Sequence, residues 1–425
     1  MKLSKEQIAA TRPDKSVWVS ANAGSGKTSV LTIRILRLLI AGNKPEKILC
    51  ITYTNAAALE MQTRIIKKAT ELILATDEKL KTEISEIGVE GILDLTKIRK
   101  NLEYIIDFPG KIKIQTIHSF CQFVLKSFPL EADIAPYFEV IDEVKQKELL
   151  EKVWKKIIVA SPEIVQLLDH FTDHTIKEML EELISKSKCL EQFLNDEYIL
   201  NLHRELNPDN LDISSLKDRF LDNTKPKLRQ VSALLKNSNI AAKSLANNIK
   251  KFLLAPDFSK FPKVFLTEDK ETKLLRFSGT VVSKKIQERA DIIAILSTLH
   301  NEYLGLEEII QNIALLNSTE LFLKLFRAFY NEYNLQKKQR AVLDYDDLIS
   351  KTTHLLSNTE NKDWVLFKLD GGIDHILLDE AQDTSPQQWQ IIQSLCSEFF
   401  SGETSRGKSR SLFVVGDEKQ SIYSF

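Results

Sequence analysis

The sequence predicts an α/β protein with a parallel sheet and a large, mostly helical insertion. Two observations lead to this fold class. Short apolar runs alternate with amphipathic helical periodicity up to about residue 125, and strand signals return after about residue 335. Alternation of this kind is typical of a parallel sheet covered by helices. We therefore expect both ends of the chain to contribute to one sheet.

The N-terminal part contains three strand candidates. The first, SVWVSA at 16–21, enters a glycine-containing turn and is followed by apolar residues at helical spacing over 29–42. The second, KILCITYT at 47–54, precedes another helical pattern, and the third is KIKIQTI at 111–117. Each strand–loop–helix step predicts one unit of a parallel sheet.

The C-terminal part supplies two further strands. HILLDE at 375–380 and SLFVVGD at 411–417 are short apolar runs that end in an acidic residue. Between them, the pattern predicts a helix over 387–400 and an exposed basic loop over 401–410.

The middle of the chain has a different character. Leu, Lys, Glu and Ile recur there at three- and four-residue spacing, which predicts helices, with looser stretches near Pro226 and Pro256–Pro262. Residues 217–289 carry 17 Lys or Arg against 7 Asp or Glu on a chain of net charge −1. This segment is either a phosphate-binding face or a solvated helical surface, and the sequence leaves both interpretations open.

Composition excludes several protein classes. A chain of 425 residues is long enough for two or three domains, and 13 glycines and 11 prolines argue against collagen-like or disordered chains. The 4 cysteines form no CxxC pair, so we expect reduced thiols and not a disulfide framework or zinc site. Neither a signal peptide nor a membrane span is recognisable, and we expect a cytoplasmic protein.

The segment ANAGSGKT at 21–28 is the strongest local motif. A strand before it and a helix after it would let backbone N–H groups converge on phosphate. Lys27 would reach the β- and γ-phosphates of a nucleotide, and Thr28 would ligate Mg²⁺. Ala21 departs from the glycine usual at the first position. The predicted nucleotide-binding residues of the loop are Ala23, Gly24, Ser25, Gly26, Lys27 and Thr28.

A second motif, LLDEAQDTSPQQW at 377–389, supplies carboxylates at a strand end. Asp379 is predicted to hold Mg²⁺, and Glu380 to act as general base for the attacking water. Gln382 and Asp383 are predicted to respond to the γ-phosphate.

Seven segments in order resemble the motor half of UvrD-like superfamily 1 DNA helicases, most closely the AddA helicase–nuclease subunits of bacterial double-strand-break repair. The segments are SKEQIAA (4–10), ANAGSGKT, ITYTNAAALEMQTRI (51–65), TIHSFC (116–121), LDYDDLI (343–349), LLDEAQD and VVGDEKQSIYSF (414–425). FPLEADIAPYFEVID (128–142) and DEAQDTSPQQW resemble AddA more than UvrD itself. Most of 145–335 carries no diagnostic match.

The resemblance implies roles for single residues on the nucleotide side. Gln7 matches the glutamine that reads adenine, and Gln420 matches a residue that contacts the γ-phosphate in catalysis. Taken alone, an N-terminal glutamine is usually a surface residue.

On the DNA side, the matching positions are Tyr53, Thr54, Asn55, Thr116, His118, Phe120, Tyr423 and Phe425. Without the motif, core packing would be the preferred interpretation of Tyr53. His118, taken alone, is more simply a structural residue. The matching segment of the family also assigns Asp344, Asp346 and Asp347 to structure or to the DNA side, and not to a metal.

The resemblance further implies an architecture and partners. A RecA-like P-loop domain is expected from 1–125 and 336–425, with a 1B-like helical insertion at 126–335. The expected ligands and partners are ATP, Mg²⁺, single-stranded or duplex DNA and a protein of the AddB type.

The family's second RecA-like domain and nuclease domain would follow Phe425. We therefore expect an incomplete motor, completed by a separate chain. The alternatives are a fragment that binds nucleotide or single-stranded DNA without turnover, and a non-functional remnant.

Overall fold

The computed structural model describes residues 4–20, 26–91, 94–186, 196–235, 240–268, 275–277, 289–357, 362–370, 372–399, 410–417 and 419. The chain forms two compact units. The first consists of Met1–Leu149 and Asn334–Phe425, and the second is Leu150–Tyr333. Within the described ranges, no helix has the length and apolar character that crossing a membrane requires.

A five-stranded parallel sheet forms the centre of the first unit, in the order β1-β9-β8-β2-β3. Two strands from the C-terminal part of the chain lie between β1 and β2, which confirms that both ends build one sheet. The strands of this sheet are β1 Val17–Ser20, β2 Ile48–Thr52, β3 Lys113–Thr116, β8 His375–Leu378 and β9 Ser411–Gly416.

The helices of the first unit cover both faces of this sheet. They are α1 Lys5–Ala10, α2 Lys27–Ile40, α3 Asn55–Leu74, α4 Asp77–Glu86, α5 Leu95–Asp107, α6 Ile117–Ser127, α15 Tyr345–Ser357, α16 Lys362–Asp370 and α17 Pro386–Cys396. Alternate residues of β2 enter different cores, because successive strand side chains point to opposite faces. Cys50 packs with α2, α3 and α5, and Ile51 packs with α6, α15 and α17.

Residues 126–149 belong to the first compact unit. Phe138 is buried in the core beneath α6 and α15. The short strand β4, Glu139–Val140, pairs in parallel with β7, Val342–Leu343. Backbone pairing and apolar burial therefore attach this segment to the sheet-containing unit.

A buried polar chain links α2 to the central strands. Arg34, with no exposed surface, donates from Nη2 to Ser411 Oγ at 2.9 Å and to the Lys15 carbonyl at 2.7 Å. His375 Nδ1 lies 2.9 Å from Ser411 Oγ, and its Nε2 lies 3.2 Å from Asn43 Oδ1. Burial lowers the pKa of His375 to about 4; the negative charge of Asp374 partly opposes this shift, and the positive charge of Arg34 adds a smaller lowering effect.

The second unit is mostly helical, as predicted, and its described residues contain one antiparallel strand pair. Its elements are α7 Glu143–Ala160, α8 Glu163–Leu167, α9 Asp173–Ser185, α10 Asp196–Leu206, α11 Ile213–Leu234, α12 Ile240–Leu254, α13 Pro262–Phe265, β5 Leu266–Glu268, β6 Leu275–Phe277 and α14 Ala290–Gln339. The ends of α7 and α14 continue into the first unit: α7 starts there at Glu143, and α14 reaches it at Asn334.

The expectation of a looser stretch at Pro226 is wrong, because this proline lies inside α11. An interior proline costs about 3 kcal/mol, since it removes one hydrogen bond and crowds the preceding turn. The same helix buries Phe220, Leu228 and Val231 in the core of the second unit. Burying side chains of this size contributes about 1.5–3 kcal/mol each, which outweighs the proline.

Candidate phosphate-binding site

The N-terminus of α2 presents backbone N–H groups beside a glycine. Gly26 caps this helix in the left-handed conformation, with φ of +86°, and no side chain caps the helix start. Glycine adopts this conformation without the clash that a Cβ would cause. The first turn therefore offers N–H donors and a positive dipole to an anion. Residues 21–25, including the predicted Ala23, Gly24 and Ser25, lie outside the described residues.

Lys27, the first residue of α2, contacts the end of β8. Its Nζ donates to Glu380 Oε2 at 2.8 Å, and only 9% of the lysine is exposed. Glu380 has φ of +50°, a left-handed conformation that costs a non-glycine residue about 1–3 kcal/mol. This backbone conformation brings the Glu380 carboxylate to the buried Lys27 ammonium.

Asp379 lies between Glu380 and the end of the sheet, with 7% of its surface exposed. Its backbone N–H donates to the Ile51 carbonyl at 2.9 Å, which fixes it at the boundary of β8 and β2. Burial, followed by repulsion from Glu380, raises the pKa of Asp379 to about 6, although the Glu380 N–H and Lys27 partly oppose this. A cation at this carboxylate would relieve the cost of its burial.

Gln382 joins Glu380 to the end of β9. Its Nε2 donates to Glu380 Oε2 at 2.6 Å, and its Oε1 accepts the Asp417 N–H at 2.9 Å. A Cβ on Gly416 would stand 3.2 Å from that Oε1, so the glycine permits the close approach. Burial alone would raise the pKa of Glu380, but the hydrogen bonds from Gln382 and Lys27 lower it overall.

Gln7 lies close to the start of α2. Its Nε2 is 3.8 Å from the point that a Cβ of Gly26 would occupy. A capping box holds the side chain, because Gln7 Oε1 accepts the Ser4 N–H at 3.0 Å while Ser4 Oγ accepts the Gln7 N–H at 3.2 Å. The amide therefore lies beside the candidate phosphate site with a fixed orientation.

The predicted DNA-contact residues follow the ends of β2 and β3. Tyr53 is 58% exposed, and Asn55 begins α3 on the surface. Thr54 Oγ1 accepts the Ala57 N–H at 3.1 Å, so this hydroxyl caps α3. His118 stands in the first turn of α6. The structure thus places these residues at the same end of the sheet as Asp379 and Glu380.

A cavity of about 40 Å³ is lined by residues from both groups, including Tyr53, His118, Asp379, Glu380 and Asp383. The candidate DNA side and the candidate phosphate side therefore share one wall at the ends of β2 and β8.

Comparison with known families identifies the relatives of this fold. The UvrD/REP helicase N-terminal domain matches residues 3–425, which is nearly the whole chain. The chain belongs to the UvrD/REP helicase family.

Similar proteins include three ATP-dependent helicase/nuclease subunits of the AddA type. The protein of Exiguobacterium sibiricum is 27% identical over 99% of this chain and 36% of its own length. Those of Lactiplantibacillus plantarum and Clostridium botulinum are 24% and 25% identical, each over 99% of this chain, and 35% and 36% of their own lengths are covered. The chain thus spans about a third of these relatives, and the resemblance to AddA is confirmed.

Tyr345, which the sequence analysis did not single out, lies beside the predicted site residue His118 in this UvrD/REP-family chain. Its ring lies edge-on to His118, with ring centroids 5.2 Å apart, and 47% of its surface is exposed. The three carboxylates of LDYDDLI are the more conspicuous chemistry in that segment, whereas the tyrosine ring is the group that contacts His118. An aromatic residue within a motif segment was the available signal.

Two of the three carboxylates of LDYDDLI bind an ammonium group in this UvrD/REP-family chain. Lys337 Nζ donates to Asp344 Oδ2 at 2.9 Å and to Asp347 Oδ2 at 2.7 Å, and all three side chains are largely buried. The shared lysine gives Asp344 and Asp347 a structural role. Gln420, Tyr423 and Phe425, also predicted as site residues, lie outside the part of the chain that is described.

Proposed function

We propose that this chain is the ATP-binding N-terminal portion of an AddA-type DNA helicase, built on a RecA-like P-loop domain. The observation that carries the proposal is the approach of Lys27, at the start of α2, to Glu380, at the end of β8. A phosphate-binding helix and a catalytic carboxylate from distant parts of the chain meet there, with Asp379 beside them.

The residues at the start of α2 and the end of β8 fit a nucleoside triphosphate. The uncapped helix start at Gly26 and the ammonium of Lys27 suit phosphate oxygens. The Thr28 hydroxyl and the Asp379 carboxylate are the oxygen donors that Mg²⁺ prefers, and the raised pKa of Asp379 reflects an acid that a cation would stabilise as carboxylate. When bound, Mg²⁺ would neutralise charge on the phosphates.

Glu380 is suited to act as the general base. Its lowered pKa favours the ionised form that accepts a proton from water. Phosphate and Glu380 compete for the same Lys27 ammonium, because the lysine donates to Glu380 at 2.8 Å. Transfer of Lys27 to phosphate would leave Glu380 with the Gln382 amide, which orients the carboxylate.

Single-stranded DNA is the proposed polymer substrate. Tyr53, His118 and Tyr345 present rings at the end of the sheet, and stacking on bases contributes about 1–3 kcal/mol per base. Thr54 and Asn55 would add polar contacts to the backbone. The cavity shared with Glu380 supports coupling between this surface and ATP.

We further propose that the sheet-containing unit corresponds to the family's 1A domain and the helical unit to its 1B region. Action in cytoplasmic double-strand-break repair is proposed from the names of the relatives. Those names describe one component of a larger helicase/nuclease, which supports a second protein of the AddB type as partner. A further RecA-like domain would complete the ATP site across a cleft.

The testing experiment measures ATP binding by calorimetry and ATP hydrolysis with and without single-stranded DNA. Lys27→Ala should weaken ATP binding about 10- to 150-fold, since a hydrogen bond to a charged group contributes about 1.5–3 kcal/mol. The matched control is Lys67→Ala, which removes an exposed lysine of α3. Unchanged ATP affinity in Lys27→Ala refutes the phosphate site.

Glu380→Gln separates binding from chemistry. It should bind ATP as well as the wild type or better, because the competitor for Lys27 has lost its charge, while hydrolysis falls about 10²–10⁴-fold. Equal turnover in this variant removes Glu380 as the base. A folded chain that binds ATP without any turnover supports a nucleotide-binding fragment instead of a motor.

A further inference from the structure

Arg37 connects α2 to two other segments through one buried guanidinium group. Only 6% of the residue is exposed. Nη1 donates to the Ile8 carbonyl at 2.8 Å and to Thr11 Oγ1 at 2.7 Å, and Nη2 donates to the Gly88 carbonyl at 2.8 Å. Arg37 therefore joins the C-terminal end of α1 and the chain just after α4 to the same side of α2.

Gly88 makes the contact between these segments close. Its φ is +82°, and a Cβ there would stand 2.4 Å from Ile8 Cγ2 and 3.2 Å from Arg37 Nη1. Real Cβ atoms essentially never approach to 2.4 Å, so a side chain at this position would displace Ile8 of α1. The position of α1 therefore depends on close packing against Gly88, where a side chain would not fit.

Apart from Arg37, the helix α1 is held by its capping box, by partial packing of Ala10 against the core and by a long hydrogen bond from Arg34 Nη1 to the Ala10 carbonyl at 3.5 Å. It is six residues long, none of its residues is buried, and no basic residue stands in its last turn. A helix this short is not stable by itself in water. Arg37, reaching from α2, places a positive charge at the negative end of the α1 dipole, which is a stabilising arrangement.

We propose that Arg37 is a positioning residue for recognition of the nucleotide base: it fixes α1 so that the Gln7 amide stands beside Gly26 and can select adenine. This inference rests on the proposed function. Gln7 would touch the base, whereas Arg37 acts only through α1. Loss of Arg37 should therefore weaken the contribution of the base and leave binding of the phosphates intact.

A matched control exists elsewhere in the first unit. Arg99 of α5 also donates to backbone carbonyls: Nη2 donates to the Ala75 carbonyl at 2.7 Å and Nε to the Ile73 carbonyl at 3.3 Å. Its Nη1 pairs with Asp77. It joins the end of α3 to α5 and makes none of its contacts with α1. Removing it should cost stability without changing the preference for a base.

The experiment compares the affinities for ATP and for inorganic tripolyphosphate in the full chain. Arg37→Met should lower the ATP-to-tripolyphosphate affinity ratio about tenfold, the size expected for a lost hydrogen-bonded contact, while tripolyphosphate affinity stays within about twofold. Gln7→Ala should lower the ratio equally, and the double variant should show no further fall. Arg99→Met should keep the wild-type ratio.

Thr11→Val removes one acceptor of Arg37 with little change of volume and decides the question if Arg37→Met fails to fold. Its ATP-to-tripolyphosphate ratio should fall in the same direction. The inference is overturned if Gln7→Ala lowers the ATP-to-tripolyphosphate affinity ratio while Arg37→Met keeps the wild-type ratio. If Arg37→Met does not fold, an unchanged ratio in Thr11→Val overturns it instead. A wild-type chain that binds neither ligand overturns the proposed function itself, which is a separate outcome.

Discussion

The two compact units differ in what they bury. Among the described residues, every buried charged side chain lies in the first unit, whereas the buried polar side chains of the second unit are Asn207, Thr224 and Ser232. The charged group in the first unit comprises Lys27, Arg34, Arg37, Lys337, Asp344, Asp374, Asp379 and Asp417. The core of the second unit is instead centred on apolar and aromatic residues such as Phe261 and Leu228.

This difference explains where the sequence carries recognisable motifs. A buried charge is costly unless specific partners surround it, so both the residue and its partners are constrained in type. An apolar core constrains mainly size and periodicity, which many residues satisfy. The diagnostic segments accordingly lie in the first unit, and most of 145–335 shows only helical spacing.

Lys337→Met tests the contrast with the largest expected effect. It leaves Asp344 and Asp347 buried together, and breaking a buried ion pair costs about 3–5 kcal/mol. Burial and repulsion already raise the pKa of Asp347, and losing the lysine should raise it further. The loss of stability is complete above the pKa of Asp347 in the folded variant. It shrinks as the pH falls toward the pKa of this carboxyl in the unfolded chain, and it vanishes below that pKa, where the carboxyl is neutral in both states.

Hydrogen exchange of α15 amides at pH 8 and pH 5 measures this effect. The triple variant Lys337→Met/Asp344→Asn/Asp347→Asn should regain most of the stability, since no charge is left unpaired. An equal loss at both pH values in Lys337→Met would contradict the electrostatic explanation.

His375 provides the next largest effect, a dependence on pH confined to the first unit. Its folded pKa of about 4 lies below its ordinary value of 6.5, so the unfolded chain binds the proton first as the pH falls. The contribution of His375 to the free energy of unfolding is fully present above about pH 6.5, and about 3 kcal/mol of it is lost as the pH falls to 4. Exchange rates of the β8 and β9 amides across this range measure it. His375→Gln, which retains a donor and an acceptor, should flatten the profile, and an unchanged slope would exclude this histidine as the cause.

Ile249→Val gives a smaller effect in the second unit. Ile249 is fully buried in the apolar core, and losing one methylene there costs about 1 kcal/mol. Because no charge is involved, the loss should be the same at pH 8 and pH 5, with ATP affinity unchanged. Exchange of α11 and α12 amides measures it, and a marked difference between the two pH values would break the contrast between the units.

The smallest effect is expected from a surface ion pair of the second unit. Lys227 Nζ donates to Glu302 Oε1 at 2.8 Å, with 36% and 41% of the two side chains exposed. Solvent screens such pairs, so Lys227→Met should change stability by less than about 1 kcal/mol. Thermal unfolding at low and high salt measures the change. A loss of stability as large as that of Lys337→Met would show that solvent exposure does not decide how much an ion pair contributes to stability.

Much of the first unit could be predicted from local sequence. Short apolar runs flanked by turns indicated all five strands of the parallel sheet, because strand burial requires such runs. Lys27, Asp379 and Glu380 could be chosen because their residue types at strand and helix ends fit phosphate chemistry. The helix through Pro226 could not be predicted, since its stability comes from tertiary burial that local propensity does not contain.

The sequence by itself determined the order of strands and helices along the chain, the family, and the residue types able to bind phosphate and a cation. Only the tertiary structure decided which of these residues meet: Lys27 with Glu380, Gln382 with Asp417, Tyr345 with His118, and Arg37 with α1. These partners are separated by up to 353 positions in sequence. Contacts over such distances depend on how the strands are ordered in the sheet, which periodicity along the chain does not specify.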